Sequence, residues 1–253
     1  MKDYLESAEI RDYHGYTHRV FDFEGHEANV ILPHESHGGL WIWRAEFLGA
    51  FDTVDLELLN RGFTLVYYKI SDMYGSPEAV ELMRRFYDLC TDGLGLAPGC
   101  VLLGFSRGGL YSANFALKYP YAVSALYLDA PVLDIKSWPG GLGVGVGAER
   151  EWGECLELYG LDRSTVLSFR GNPVDRADEL AEHGIPLAMV VGDSDIDVPH
   201  RENAEILVCA YRRVDAPLLY IVKPGCAHHP HSVTDPIEVA DFIEKYASVQ
   251  LDA

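Results

Sequence analysis

Basic residues are scarce. Twenty lysines and arginines stand against 39 aspartates and glutamates, a formal net charge of -19. A surface that negative repels phosphate backbones and anionic lipid heads, and no Lys/Arg run supplies the basic patch that nucleic-acid binding needs. The excess charge reads as a solubilising surface. Long apolar runs are missing too: no stretch approaches the roughly 20 apolar residues of a membrane span. The opening MKDYLESAEIRDYHGY holds no apolar leader core, so the expected location is cytoplasmic, with no membrane partner. Cysteine is sparse and scattered, at 90, 100, 155, 209 and 226. Without a C-x-x-C pair, these argue against a disulfide scaffold or a structural zinc site and read as mostly buried small hydrophobes. Internal repeats and low-complexity tails are absent. What is present is 253 residues, 48% hydrophobic, enough for one domain over 1–253 with a substantial core.

Short apolar runs alternate with amphipathic stretches, the pattern of a mostly parallel central sheet flanked by helices on both faces. The expected strands are 27–33 (EANVILP), 41–47 (WIWRAEF), 63–70 (FTLVYYKI), 100–104 (CVLLG), 124–128 (SALYL), 186–191 (PLAMVV) and 218–222 (LLYIV). Ser76, Pro77 and Glu78 signal a helix start, and Ala79, Leu82, Met83, Phe86 and Leu89 give that helix one apolar face. Further helices are expected over 110–118 and 201–212. A last helix is expected after the capping signal Asp235, Pro236 and Glu238. Trp41 and Trp43 share one strand face and are expected in the core, with a substrate role as the alternative.

The segment from about 134 to 185 breaks the rhythm and reads as a small cap insertion carrying short helices near 151–159 and 174–183. Its glycine run, 140–147, does not link a strand to a helix as a phosphate-cradling loop would, so a tight-turning loop is expected instead.

Gly104-Phe105-Ser106-Arg107-Gly108 fits G-x-S-x-G, and it lies where the pattern has meaning, between an apolar strand and a helix. A sharp turn there projects the serine hydroxyl beyond the strand end and next to the positive end of the helix dipole. A serine hydroxyl needs a base to take its proton. The run Cys226-Ala227-His228-His229-Pro230-His231 follows the last strand, and His228 is the first choice of base, His229 the next, with His231 ordering the loop. Three histidines in four residues also raise a metal reading. No carboxylate is interleaved with them, so no metal is expected. The base needs an acid to hold its tautomer. Asp195, after the strand 186–191, is chosen; Asp193 is assigned to the turn, Asp197 to capping, and Asp129 stands as a further candidate acid. Each group follows a strand, where open α/β sheets place their sites.

GFSRGG at 104–109, GDSDIDVP at 192–199 and PGCAHHPHS at 224–232 resemble the α/β-hydrolase superfamily, in the serine–acid–histidine chain order of that scaffold. The likeness covers almost the whole chain, and LYLDAPVLDIKSWPGG at 126–141 and HHPHSVTDP at 228–236 resemble segments of bacterial esterase-like members, some of which accompany polysaccharide-degrading enzymes. It implies an α/β-hydrolase fold and a serine hydrolase that cleaves carboxylic esters through an acyl-enzyme, without a cofactor. The expected substrate is a small acyl ester, with a carbohydrate as one expected alcohol part. A peptidase or acyltransferase with the same residues, or a non-catalytic ligand-binding protein, are the alternatives. The resemblance also implies an oxyanion hole, built from the backbone N–H of Arg107 and a donor in Arg44-Ala45-Glu46, with Ala45 expected. An HGGG motif is absent, although His37-Gly38-Gly39 lies nearby. Trp138, Arg44 and Glu46, and the Arg107 side chain, are the expected substrate contacts.

Overall fold

The computed structural model describes residues 4–247. Its centre is one nine-stranded sheet in the order β1-β2-β3-β5-β4-β6-β7-β8-β9. The first three strands are Glu9–Tyr13 (β1), Tyr16–Phe23 (β2) and His26–Leu32 (β3); they form an antiparallel meander, and β3 pairs antiparallel with β5, Thr64–Tyr68. From β5 onward every pairing is parallel, through Trp41–Arg44 (β4), Cys100–Phe105 (β6), Val123–Asp129 (β7), Leu187–Gly192 (β8) and Leu218–Lys223 (β9).

The meander's first hairpin was not among the expected strands, yet its signals are local. Both tight turns put two successive residues at positive φ: His14 and Gly15 at 51° and 88°, Glu24 and Gly25 at 51° and 84°. Those are the angles that match the right-handed twist of a hairpin, and a glycine in second place accepts them most readily.

The parallel strands β4 to β8 are buried along their whole length because helices cover both faces, while the edge strand β9 is only partly buried. Pro77–Asp88 (α2), Gly108–Lys118 (α3), Ala177–Glu182 (α5) and Ala204–Arg213 (α6) pack on one face, with Trp41, Trp43, Leu102 and Leu126 beneath them. Thr53–Asn60 (α1) and Ile237–Ala247 (α7) cover the other, over Ile42, Val101, Leu103 and Ala125. The alternation of β4 and β6 residues between these two clusters is the period-two geometry of a strand. Trp41 and Trp43 are core residues with rings stacked at 5.8 Å, and the Trp41 indole N–H donates to Ala97 O at 2.8 Å. Helix α2 starts as its sequence signals imply: Ser76 Oγ accepts from Ala79 N at 3.4 Å.

Between β7 and β8 lie Glu149–Leu158 (α4), two 3-10 turns at 165–168 and 173–176, and α5. A third apolar cluster, including Tyr74, Leu110, Ile135, Trp152 and Val166, seats α4 and the first of those turns over the strand ends. The expected helix 201–212 begins later, at Ala204, after a 3-10 turn over 200–202. Among the described residues no helix is long and apolar enough to cross a membrane.

Candidate active site

The turn from β6 into α3 holds Ser106 at φ 50°, in the left-handed region that L-residues rarely occupy. Three backbone bonds keep it there: Ser106 N donates to Asp129 O at 3.0 Å, and Ser106 O accepts from Gly109 N and Val132 N at 2.9 Å each. Two glycines make the turn sterically feasible. A Cβ on Gly104 would stand 2.7 Å from Gly108 O, and one on Gly109 would stand 2.6 Å from Pro131 Cβ.

Three parallel strands then bring distant segments to this point. His228, in the loop after β9, places Nε2 2.9 Å from Ser106 Oγ and Nδ1 2.7 Å from Asp195 Oδ2. Asp195, in the loop after β8, is buried, and its Oδ1 accepts from the N–H groups of Asp197 and Val198 at 2.9 Å each. Its carboxylate is therefore aimed by its own loop before it meets the imidazole. Asp197, expected as a helix cap, instead contributes that backbone N–H. Asp193 stabilises the turn: its Oδ1 accepts from Gly225 N at 2.7 Å and from Ser194 Oγ at 2.9 Å. Asn203, unread in the sequence, is buried and ties the acid's loop to the chain after β7. Its Oδ1 accepts from Leu133 N at 2.8 Å, and its Nδ2 donates to Pro199 O at 3.1 Å.

Asp129 does not serve His228. It is fully buried beneath the second imidazole, with Oδ1 2.7 Å from His231 Nδ1, while Oδ2 accepts from Ser232 N at 2.9 Å. His229 is exposed and lies flat against Phe51, ring centroids 5.6 Å apart. Partial burial, followed by the neighbouring His231 and His228, lowers its pKa. One ring nitrogen from each of the three histidines lies within 4.8 Å of the other two.

Beside Ser106 is a pocket of about 210 Å³ walled chiefly by Phe47, Ala50, Phe51, Phe105 and the histidines. Phe47 and Phe51 come from the loop after β4, and both adopt positive φ, 59° and 53°. The expected strand 41–47 included Phe47, but β4 stops at Arg44, so strand periodicity does not govern where either ring points.

A search of solved structures finds chains of this architecture. A puromycin-hydrolysing peptidase of Mycobacterium tuberculosis matches 93% of this chain and 39% of its own length, at 16% identity and TM-score 0.68. An S-formylglutathione hydrolase of Agrobacterium tumefaciens matches 96% of this chain and 98% of its own, at 14% identity and TM-score 0.57. A metagenomic α/β hydrolase from lagoon sediment matches 96% and 99% at 17% identity, TM-score 0.55. The chain has the α/β-hydrolase fold. It spans about two-fifths of the length of the first of these structures. No family model and no curated protein sequence matches it.

Within the α/β-hydrolase scaffold the segment after β4 departs from the sequence reading at several residues. Ala45 N–H was expected to face an oxyanion, but it donates to Leu103 O at 3.0 Å, extending the β4–β6 ladder by one residue. Glu46 and Phe47 have no such backbone bond, and only Phe47 lines the pocket. Arg107 N–H, directly after the serine, makes no backbone bond either. Arg44, expected on substrate, does line the Ser106 pocket, although three of its five N–H groups are bonded inside the protein. Nε donates to Glu46 O at 2.9 Å, Nη1 to Asp55 at 2.7 Å and Nη2 to Ala50 O at 2.6 Å, while the guanidinium lies 3.6 Å over the Phe105 ring.

Glu46, also expected on substrate, is buried away from the pocket. Burial pushes its carboxyl pKa up against the pull of Arg107; Oε1 lies 3.3 Å from Arg107 Nε, and Oε2 accepts from Ser71 Oγ at 3.0 Å. The Arg107 side chain turns the same way, with Nη1 2.6 Å from Asp72 Oδ1. Trp138 is half-buried, 6.3 Å from the Tyr74 ring, and packs on the third cluster rather than lining the Ser106 pocket. For Glu46, Trp138 and the Arg107 side chain, burial with an internal partner outweighs exposure to a ligand in that pocket, which position along the chain does not reveal.

Proposed function

We propose that the chain is a serine hydrolase that cleaves small carboxylic esters, with Ser106, His228 and Asp195 as its catalytic triad. The observation that carries this reading is the unbroken chain from Ser106 Oγ to His228 Nε2 at 2.9 Å and from His228 Nδ1 to Asp195 at 2.7 Å. Asp195 holds the proton on Nδ1, so Nε2 presents its lone pair to the hydroxyl. The hydroxyl attacks the ester carbonyl while its proton passes to Nε2. The resulting imidazolium is stabilised by Asp195 and returns the proton to the leaving alkoxide. A water then releases the acyl group by the same route. The developing oxyanion is held by Arg107 N–H and by an N–H of the Glu46–Phe47 segment, in place of Ala45.

The pocket supports a small acyl group. At about 210 Å³, with Phe47, Phe51 and Phe105 around it, it is smaller than the roughly 300–1,000 Å³ of sites that hold drug-sized ligands. With Trp138 packed elsewhere, an aromatic contact to a sugar would fall to Phe47 or Phe51. The deciding experiment is intact-mass and peptide mapping after a fluorophosphonate probe, alongside turnover of p-nitrophenyl esters of increasing acyl length. The expected result is one adduct on Ser106 and a kcat/KM that falls as the acyl chain lengthens. A protein carrying no adduct on Ser106 at neutral pH would overturn the reading.

A further inference from the structure

The triad uses one imidazole of the 226–232 loop and leaves two others beside it. His231 repeats the arrangement of His228: a buried aspartate stands 2.7 Å from Nδ1 in each, Asp129 for one and Asp195 for the other. A carboxylate on Nδ1 fixes the proton there, so each ring offers its Nε2 lone pair on the far side. Metal-binding histidines carry this same outer layer, because the carboxylate both orients the ring and makes its free nitrogen a stronger donor. His228 and His231 face one pocket, and His229 joins them there. Their ring nitrogens are grouped within 4.8 Å, and the rings sit edge to face with centroids 4.7–4.9 Å apart. The carboxylates missing from the sequence around these histidines are supplied from behind by the end of β7 and by the loop after β8.

We propose that His228, His229 and His231 bind a divalent transition-metal ion of the zinc class, and that this ion switches the hydrolase off. Its inhibitory consequence rests on the triad reading; the binding itself does not. Imidazole nitrogen suits zinc, whereas magnesium and calcium take oxygen ligands. Zinc sits about 2.0–2.1 Å from each nitrogen, so a tetrahedral site draws the three nitrogens to about 3.3 Å apart. The exposed His229 ring contributes to that closure by sliding along Phe51, on which it stacks. A lone pair given to the ion is no longer available to Ser106, so the hydroxyl proton has nowhere to go while the ion is bound. Removing the ion restores His228 unchanged.

The test uses the full chain after treatment with a chelator. Zinc chloride is titrated against a chromophoric chelator to count bound ions, and p-nitrophenyl acetate turnover is followed over the same range. One zinc per chain is expected, with turnover lost in step with occupancy, restored by EDTA and unaffected by magnesium. His229→Ala, at an exposed position, and His231→Gln should each weaken zinc binding by roughly tenfold or more. Zinc bound as tightly by both variants as by the parent would put the ion elsewhere and overturn the site, and so would full turnover with the ion bound. A chain with a fluorophosphonate adduct on Ser106 that takes up no zinc sinks the metal site and leaves the hydrolase standing. A chain that binds one zinc through these histidines but shows no adduct sinks the hydrolase reading and leaves the metal site standing.

Discussion

Ser106 occupies a backbone conformation, φ 50°, that costs a side chain about 1–3 kcal/mol. Glycine carries little of that cost, so Ser106→Gly should raise the denaturant midpoint by the equivalent of about 1 kcal/mol while ester turnover disappears. Chemical denaturation and the p-nitrophenyl assay read the two effects side by side. Ser106→Ala keeps the strain, and its kcat should fall by roughly 10⁴–10⁶-fold. Asp195 acts at one remove. With asparagine in its place, the group facing His228 Nδ1 becomes an N–H₂ or a neutral oxygen, and the wrong tautomer of His228 is no longer excluded. Asp195→Asn should lower kcat by about 10⁴-fold with KM for p-nitrophenyl acetate little changed. A fall confined to KM would mean that Asp195 binds substrate rather than positions the base.

The loop between β4 and α1 has little regular structure, and Arg44 holds it together. Its guanidinium joins Glu46 O and Ala50 O to Asp55 of α1, all beneath the phenylalanines of the pocket wall. Removing the cation leaves Asp55 buried with no opposite charge. Arg44→Met should therefore cost about 3–5 kcal/mol at neutral pH, and esterase activity should fall because Phe47 and Phe51 lose their support. The pH dependence has a definite sign. Burial already raises the Asp55 pKa, and Arg44 is the main group opposing it. In the variant Asp55 stays protonated in the folded protein well above the ~3.9 of an unfolded aspartate. The folded state then holds the extra proton, so the deficit grows as pH rises from about 4. Urea midpoints measured from pH 4 to 8 check this; a deficit independent of pH would assign the loss to packing alone. At the nucleophile turn, Gly104→Ala brings a methyl to 2.7 Å from Gly108 O, so β6 and α3 must separate. A stability loss of about 1–3 kcal/mol is expected, together with lost activity.

For the molecule as a whole, a charge of -19 on 253 residues means self-repulsion and a negative far field. Salt screens both, the Debye length falling from ~30 Å at 0.01 M to ~8 Å at 0.15 M. The melting temperature should rise over that range. Turnover of an ester carrying a carboxylate should gain in kcat/KM, while that of a neutral ester stays flat. Equal salt responses for the two esters would mean that the surface charge does not reach the Ser106 pocket.

The sequence alone determined the parallel α/β layering and located the three segments that meet at Ser106, because both are local. Apolar runs such as 100–104 and 186–191 must be buried on both sides, and Ser106, Asp195 and His228 each lie within six residues of the end of an expected strand. Only the tertiary structure decided which acid meets which imidazole. Asp129 and Asp195 both end or follow parallel strands and look alike in the chain, yet the sheet order sends one to His231 and the other to His228. It also decided that Glu46 turns inward, that Arg44 lines the pocket while bonding within its own loop, that Ala45 N–H is taken by β6, and that Trp138 packs away from the pocket. Those outcomes depend on partners far away in sequence, and a buried polar group settles wherever its hydrogen bonds can be completed.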